Sequence, residues 1–133
     1  MTDEASPAGE APKLTEEEAR AATRTIFRLF MVWDLSEKES REVLGGLTER
    51  EFQSLQEGEL VPTTGDLAER LGLLLGIHRC LRLLFRSAAR RKRWIRAPNR
   101  GLGGETALAV MSRSDISGMW NLERYLEAVV QQG

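Results

Sequence analysis

The stretch Arg90–Met111, RRKRWIRAPNRGLGGETALAVM, decides between two fold classes. Its glycines after a β-strand would cradle a phosphate and announce an α/β protein; between two helices they would be a turn in an all-α one. GLGG has neither the G-x-G-x-x-G spacing nor the G-K-S/T ending of a nucleotide loop, and no strand-like alternation precedes it. The glycines therefore read as a turn that uses positive φ and close packing. Pro98 pushes Ala97 out of the helical region, so a short helix carrying the cations into Trp94 ends there. Thr106 caps the next helix, Ala107 to about Met111.

The same helical grammar holds on either side. LTEEE, LSEKE and LTERE, from Leu14, Leu35 and Leu47, are capping boxes: the Ser or Thr oxygen accepts an early N–H, and the Glu three residues on reaches back. They predict helices over Glu16 to about Asp34, Glu37–Leu44 and Glu49–Gln56, with Thr15, Ser36 and Thr48 as N-caps and Leu47 stapled against Phe52. Gly45-Gly46 and Gly58 supply the stops. A fourth helix is predicted from Asp66, with Glu69 closing a further capping box. Leu67, Leu71, Leu74, Leu75, His78, Leu81 and Phe85 would line one side of it, and Gly72 and Gly76 would admit a close neighbour. A last helix spans about Met119 to Val130. Nothing in the chain alternates with a period of two, so the fold class is all-α.

The chain has 133 residues and a formal net charge of −1, so bulk charge draws it to neither nucleic acid nor membrane. The charge is unevenly distributed: acids dominate from Asp34 to Glu69, and none occurs from Leu71 to Arg100. That polarity predicts a partner surface or contact between the acidic and basic parts. The single Cys80 forms no internal disulfide, which fits a reducing, cytoplasmic setting. Residues 1–13 are acidic and rich in Pro and small residues and read as a disordered tail with no signal-peptide pattern. The apolar runs are too short for a membrane span.

No catalytic constellation emerges, and an enzyme is not expected. His78 has no neighbouring ligands for a metal and reads as a packed, hydrogen-bonded histidine. Cys80 reads as a small buried residue, and no cofactor is expected. The segment Leu35–Gly58 has the helix–turn–helix order of a DNA reader, with Thr48, Arg50, Gln53, Ser54 and Gln56 as candidate contacts. Glu49, Glu51 and Glu57 on the same helix oppose a phosphate backbone, so a hairpin that only builds the core stays open beside it. Trp94 reads as a core anchor rather than a base-stacking platform.

Four stretches together carry a family resemblance: FMVWDLSEKESREVLGG, RLGLLLGIHRCLRLLF, RWIRAPNRGLGGETALAVM and LERYLEAVVQQG. From about Thr23 to Gly133 the chain resembles the Xre/MbcA/ParS family of type II antitoxins. The resemblance implies a helical bundle: an Xre-like helix-turn-helix region over 14–65, a long connecting helix over 66–85 and a small toxin-binding module over 86–133. It implies that the partner is a RES-domain toxin, an NAD-consuming enzyme whose active-site entrance the end of the antitoxin occludes. It further implies homodimerisation and autorepression at operator DNA. Carried over by position, Trp94, Pro98, Asn99, Gly103, Gly104, Leu108 and Met111 match the module's framework, and Tyr125, Leu126, Gln131, Gln132 and Gly133 match its toxin-facing end. Two departures stand out. Ala107 holds the place of a frequent Pro, and the second helix of the hairpin lacks basic and aromatic character. The competing function is a DNA-binding regulator without a cognate toxin; a third is a structural adaptor.

Overall fold

Thr15, Ser36 and Thr48 each start a helix as the sequence requires. Their side-chain oxygens accept the N–H of Glu18, Glu39 and Glu51 at 3.0–3.1 Å, and each Glu carboxylate accepts the cap residue's own N–H at 2.9 Å. The computed structural model describes residues 13–133, and apart from Lys13 the tail expected at residues 1–13 lies outside them. The helices are α1 (Glu16–Val32), α2 (Glu37–Val43), α3 (Glu49–Gln56), α4 (Gly65–Leu84), α5 (Ala88–Arg96), α6 (Ala107–Met111) and α7 (Ser117–Gln132), with a 3-10 turn at Arg100–Leu102. No strand occurs among the described residues, so the fold is an all-α bundle. No helix among them is long and apolar enough to cross a membrane.

The start of α4 differs from expectation. The helix begins one residue earlier, at Gly65, and its flanking Thr64 makes no side-chain cap. Asp66 and Glu69 do not form a capping box because each carboxylate is taken by another partner, one local and one distant. Asp66 accepts from the Arg70 guanidinium at 2.7 Å, and Glu69 accepts from the Trp120 indole N–H at 2.7 Å. These charge-assisted bonds, the second of which ties α7 to α4, outweigh a local cap.

α4 is the central element, packed along α7 and also against α1, while α6 joins α7 to α5. It therefore buries more than one stripe. Ile77, Cys80 and Leu73 are buried although the single-face reading omits them, while Leu67, Leu75, His78 and Phe85 are only half-buried. Ile26 and Trp33 from α1, Leu71, Leu74, Ile77 and Leu81 from α4, Met111 from α6, and Met119, Leu122 and Leu126 from α7 share one core. Gly76 lies directly under the Glu123 carboxylate of α7, as a close-approach glycine should; Gly72 has no such neighbour.

One buried charge registers this bundle. Arg70 has 0% exposure, and its guanidinium reaches three segments. Nε donates to Asp66, Nη1 to the Val43 carbonyl at 3.3 Å, and Nη2 to the Ser114 and Arg113 carbonyls at 2.7 and 3.4 Å. The end of α2, the first turn of α4 and the α6–α7 loop are thereby held together. Gly45, at φ +101°, passes so close that a Cβ there would sit 2.9 Å from Arg70 Nε.

Arg70→Met should lower the free energy of unfolding by about 3 kcal/mol, because three carbonyls lose a charged donor in a dry site. Asp66 is 59% exposed and does not become a buried orphan, which keeps the loss at the low end. Gly45→Ala should cost about 1–3 kcal/mol through its left-handed backbone. Urea unfolding measures both; wild-type midpoints for the two variants would remove Arg70 from its role.

Candidate functional site

The second half of the molecule is built around one loop and two helices. α5 is anchored by Ile95, which has 0% exposure, whereas Trp94 is half-buried and rests tilted against Phe85 with ring centroids 6.2 Å apart. Ile95, not Trp94, is thus the core anchor: the helix turns the smaller side chain inward and leaves the indole at the rim. The polar side of α5 docks onto the acidic half. Arg96 donates to both oxygens of Glu39 at 3.0 Å and to the Asp34 carbonyl at 2.9 Å, and Lys92 pairs with Asp34 at 3.6 Å. The Arg96 hydrogen bonds, with help from the Ser36 N–H, hold the Glu39 carboxyl below the usual carboxylate range. The contact expected between the charged halves therefore exists at these residues.

α5 ends at Ala97, whose backbone is extended, and the chain closes a loop on Asn99. The Asn99 N–H donates to the Glu105 carbonyl at 3.0 Å; its carbonyl accepts from Gly104 at 2.8 Å and Leu102 at 3.0 Å; its side chain accepts from Gly101 at 2.8 Å. Pro98 and Thr106 pair across the neck as an isolated bridge. Gly103 and Gly104, at φ +67° and +87°, supply the left-handed backbone that turns the chain back. Thr106 then caps α6 by accepting from Ala109 at 3.0 Å. Glu105 pairs with Arg113 across that helix.

α7 closes the unit. Gly118 lets its first turn approach α6, since a Cβ there would lie 2.8 Å from the Val110 carbonyl. Further along, the Tyr125 ring covers Gly101, so that a Cβ on Gly101 would fall 2.6 Å from Tyr125 Cε1. The ring thereby fixes the Asn99 loop to α7.

The residues singled out from sequence separate by burial. Trp94, Asn99, Leu108 and Tyr125 are half-buried, and Pro98, Gly103, Gly104, Gln131, Gln132 and Gly133 are exposed. Met111 and Leu126 are in the core at 0% and 1% exposure. Asn99 is the loop's hub more than a contact. Gly101, Arg70 and the Glu69–Trp120 bond were not visible to sequence reasoning. Each depends on a residue more than twenty positions away, which no local pattern marks.

On the hairpin, Arg50, Gln53 and Gln56 are exposed, Ser54 is half-buried, and the Thr48 hydroxyl is occupied as the α3 cap. Gln53 donates to Glu57 at 3.1 Å, and Glu49, Glu51, Glu57 and Glu59 surround the same helix. Among the described residues no His, Cys, Asp or Glu cluster could hold a metal. Cys80 is buried as expected, its thiol pushed up chiefly by that burial. His78 is not the hydrogen-bonded residue expected: its Nδ1 is buried with no partner among the described residues. Burial first, then Arg82 and Arg91, hold it below the ordinary histidine value.

Comparison with known proteins finds a toxin-binding domain in this half. The family model described as "Antitoxin Xre/MbcA/ParS C-terminal toxin-binding domain" matches residues 80–129, from the last turns of α4 to near the end of α7. The uncharacterized protein y4oB of Sinorhizobium fredii (strain NBRC 101917 / NGR234) is 30% identical over 121 residues, covering 90% of this chain and 92% of the relative. No solved structure matches significantly.

Gly101→Ala should displace the Tyr125 ring and lower stability by about 1–3 kcal/mol, as overpacking does; denaturant unfolding, with Tyr125 fluorescence as reporter, reads it. A pH effect follows from Glu123, whose carboxyl is pushed up by burial and then by Glu127, against Arg79. Its folded value lies above its unfolded one, so its contribution is present at low pH and is lost as pH rises through the folded value. Glu123→Gln should therefore stabilise the protein at neutral pH, with the gain vanishing under acid conditions where both side chains are neutral. A gain that persisted unchanged at low pH would contradict this origin.

Proposed function

The chain belongs to the Xre/MbcA/ParS antitoxin family, and on that premise we propose that it neutralises a RES-domain, NAD-consuming toxin by direct occlusion. The observation that carries the reading is the end of α7. Met119, Leu122 and Leu126 bury one side of the helix in the core, while Gln131, Gln132 and Gly133 stand exposed at its far end. A segment held in place by a packed helix enters a cleft without first being ordered, which favours binding. Occluding a substrate entrance needs no chemistry from the antitoxin.

The proposed contact face comprises Trp94, Pro98, Gly103, Gly104, Leu108, Tyr125 and the Gln131–Gly133 segment, with Asn99, Met111 and Leu126 holding it in shape. In this division residues 14–65 form the helix-turn-helix region, 66–85 the connecting helix and 86–133 the toxin-binding module. A homodimer belongs to the same proposal. Met31 and Val32, 80% and 48% exposed at the end of α1, are large apolar residues that a second copy would cover. Autorepression at operator DNA is the second reading. Its support is the order helix, glycine turn, helix in α2–α3 with Arg50, Gln53 and Gln56 exposed; the surrounding carboxylates weaken phosphate contact.

Co-expression with a RES-domain toxin is the test. The two should co-purify and NAD consumption by the toxin should fall to background. Deleting Val130–Gly133 should weaken inhibition at least ~10-fold, about 1.4 kcal/mol, while the deleted chain still folds. Full inhibition by the deleted chain would remove the occlusion mechanism, and failure to co-purify would remove the partner.

A further inference from the structure

We propose that the corner where α4 passes into α5 is a non-sequence-specific binding surface for the phosphate backbone of duplex DNA. The proposal rests on no part of the antitoxin reading. Arg82, Arg86, Arg90 and Arg93 are all exposed there, and none of the four guanidinium groups forms an ion pair with a described residue. The neighbours that do pair lie at the margins: Arg79 with Glu127, Lys92 with Asp34 and Arg96 with Glu39. No carboxylate occurs from Leu71 to Arg100 to interrupt the four.

The corner is also stiff. Arg91 Nη1 donates to the Phe85 carbonyl at 2.7 Å and the Arg86 carbonyl at 3.1 Å, tying α5 back onto the connection. The Arg90 guanidinium lies 5.5 Å from the Phe85 ring centroid, and Phe85 in turn leans on Trp94. The cations are thus presented from a fixed backbone, which lowers the entropy lost on binding.

Phosphate suits this surface better than a protein does. Protein-binding patches lose charge towards their centres, whereas protein–DNA interfaces are strongly positive. Leu83, 62% exposed, is the one large apolar side chain at the corner that is mostly exposed, too little to form an apolar docking centre. The backbone is the ligand because nothing here is arranged to read base edges: the four guanidiniums are divided among the end of α4, the connection and α5, not lined along one helix laid into a groove. α3, the helix that a helix-turn-helix would use, carries acids instead.

The experiment is fluorescence anisotropy of the full chain with a labelled random-sequence 30-base-pair duplex, titrated with salt. Binding should be measurable at low salt. The logarithm of affinity should fall with the logarithm of salt at a slope of about −3.6, the value for four phosphates. R82Q/R86Q/R93Q should lose at least ~10-fold in affinity and flatten the slope by about 2.7. K38Q, an exposed cation on α2, should change neither. Because all of these positions are exposed, thermal melting should be unchanged and confirms folding. Wild-type affinity in the triple variant, or no duplex binding by the wild type at low salt, overturns the proposal. So does weakening of a protein complex, but not of DNA binding, by the triple variant, which would assign the corner to an acidic protein partner.

Discussion

Everything behind the hairpin depends on the Arg70 guanidinium being satisfied in a dry site. A charge with no solvent contact is tolerated only if its donors are taken up, and here they are divided among Asp66 and the carbonyls of Val43, Arg113 and Ser114. The Asp66 side chain is more than half exposed, so solvent screens its part of the attraction. The carbonyls contribute geometry: a planar fork meets them only when the end of α2 and the α6–α7 loop stand in one relation to α4. Gly45 follows from the same constraint, since the chain must pass Arg70 where no side chain fits. The arginine thus specifies which arrangement of apolar helices forms, a distinction that burial alone makes weakly.

That relation bears on function. Ser114 lies between α6 and α7, inside the matched toxin-binding domain, whereas Val43 ends the first helix of the hairpin. A side chain bonded to both makes the two regions mechanically continuous at this point. The Arg96–Glu39 fork and the Glu69–Trp120 bond add two further ties, one from α5 to α2 and one from α7 to α4. The toxin-binding half is accordingly not an appendage on a linker but is braced by the front helices.

What was legible in the sequence was local. Three capping boxes, the break at Pro98, the left-handed glycines at 103 and 104 and the Thr106 cap all act within a few residues, and all appear where their chemistry put them. The illegible features are those in which a distant partner competes. Glu69 reads as part of a helix start until Trp120, from α7, takes its carboxylate. Trp94 reads as an anchor because it is the largest apolar residue in α5, yet the helix phase turns Ile95 inward. His78 sits on an apolar run that gives no sign that its Nδ1 lacks a partner. For the candidate face, the turn residues were legible and the Gly101–Tyr125 contact was not, because a glycine under a ring has no local signature.

The uneven charge acquires a physical sense from these contacts. The acidic stretch from Asp34 to Glu69 and the basic one from Leu71 to Arg100 are consecutive in the chain, and among the described residues the ion pairs between them lie where α5 meets the α1–α2 junction. Neutralising there orients α5, because a bidentate pair fixes both rotation and position of the helix. Lys92 and Arg96, four positions apart, share the face turned to that junction, and Arg90, two positions before Lys92, falls on the opposite side of the helix. The ion pairs that dock α5 use Lys92 and Arg96 and leave Arg82, Arg86, Arg90 and Arg93 without an ion pair to a described residue around the α4–α5 corner, while α3 carries the carboxylates. Segregation of sign along the chain thus becomes segregation of sign over the surface, and it separates the polyanion-attracting part of the molecule from its hairpin.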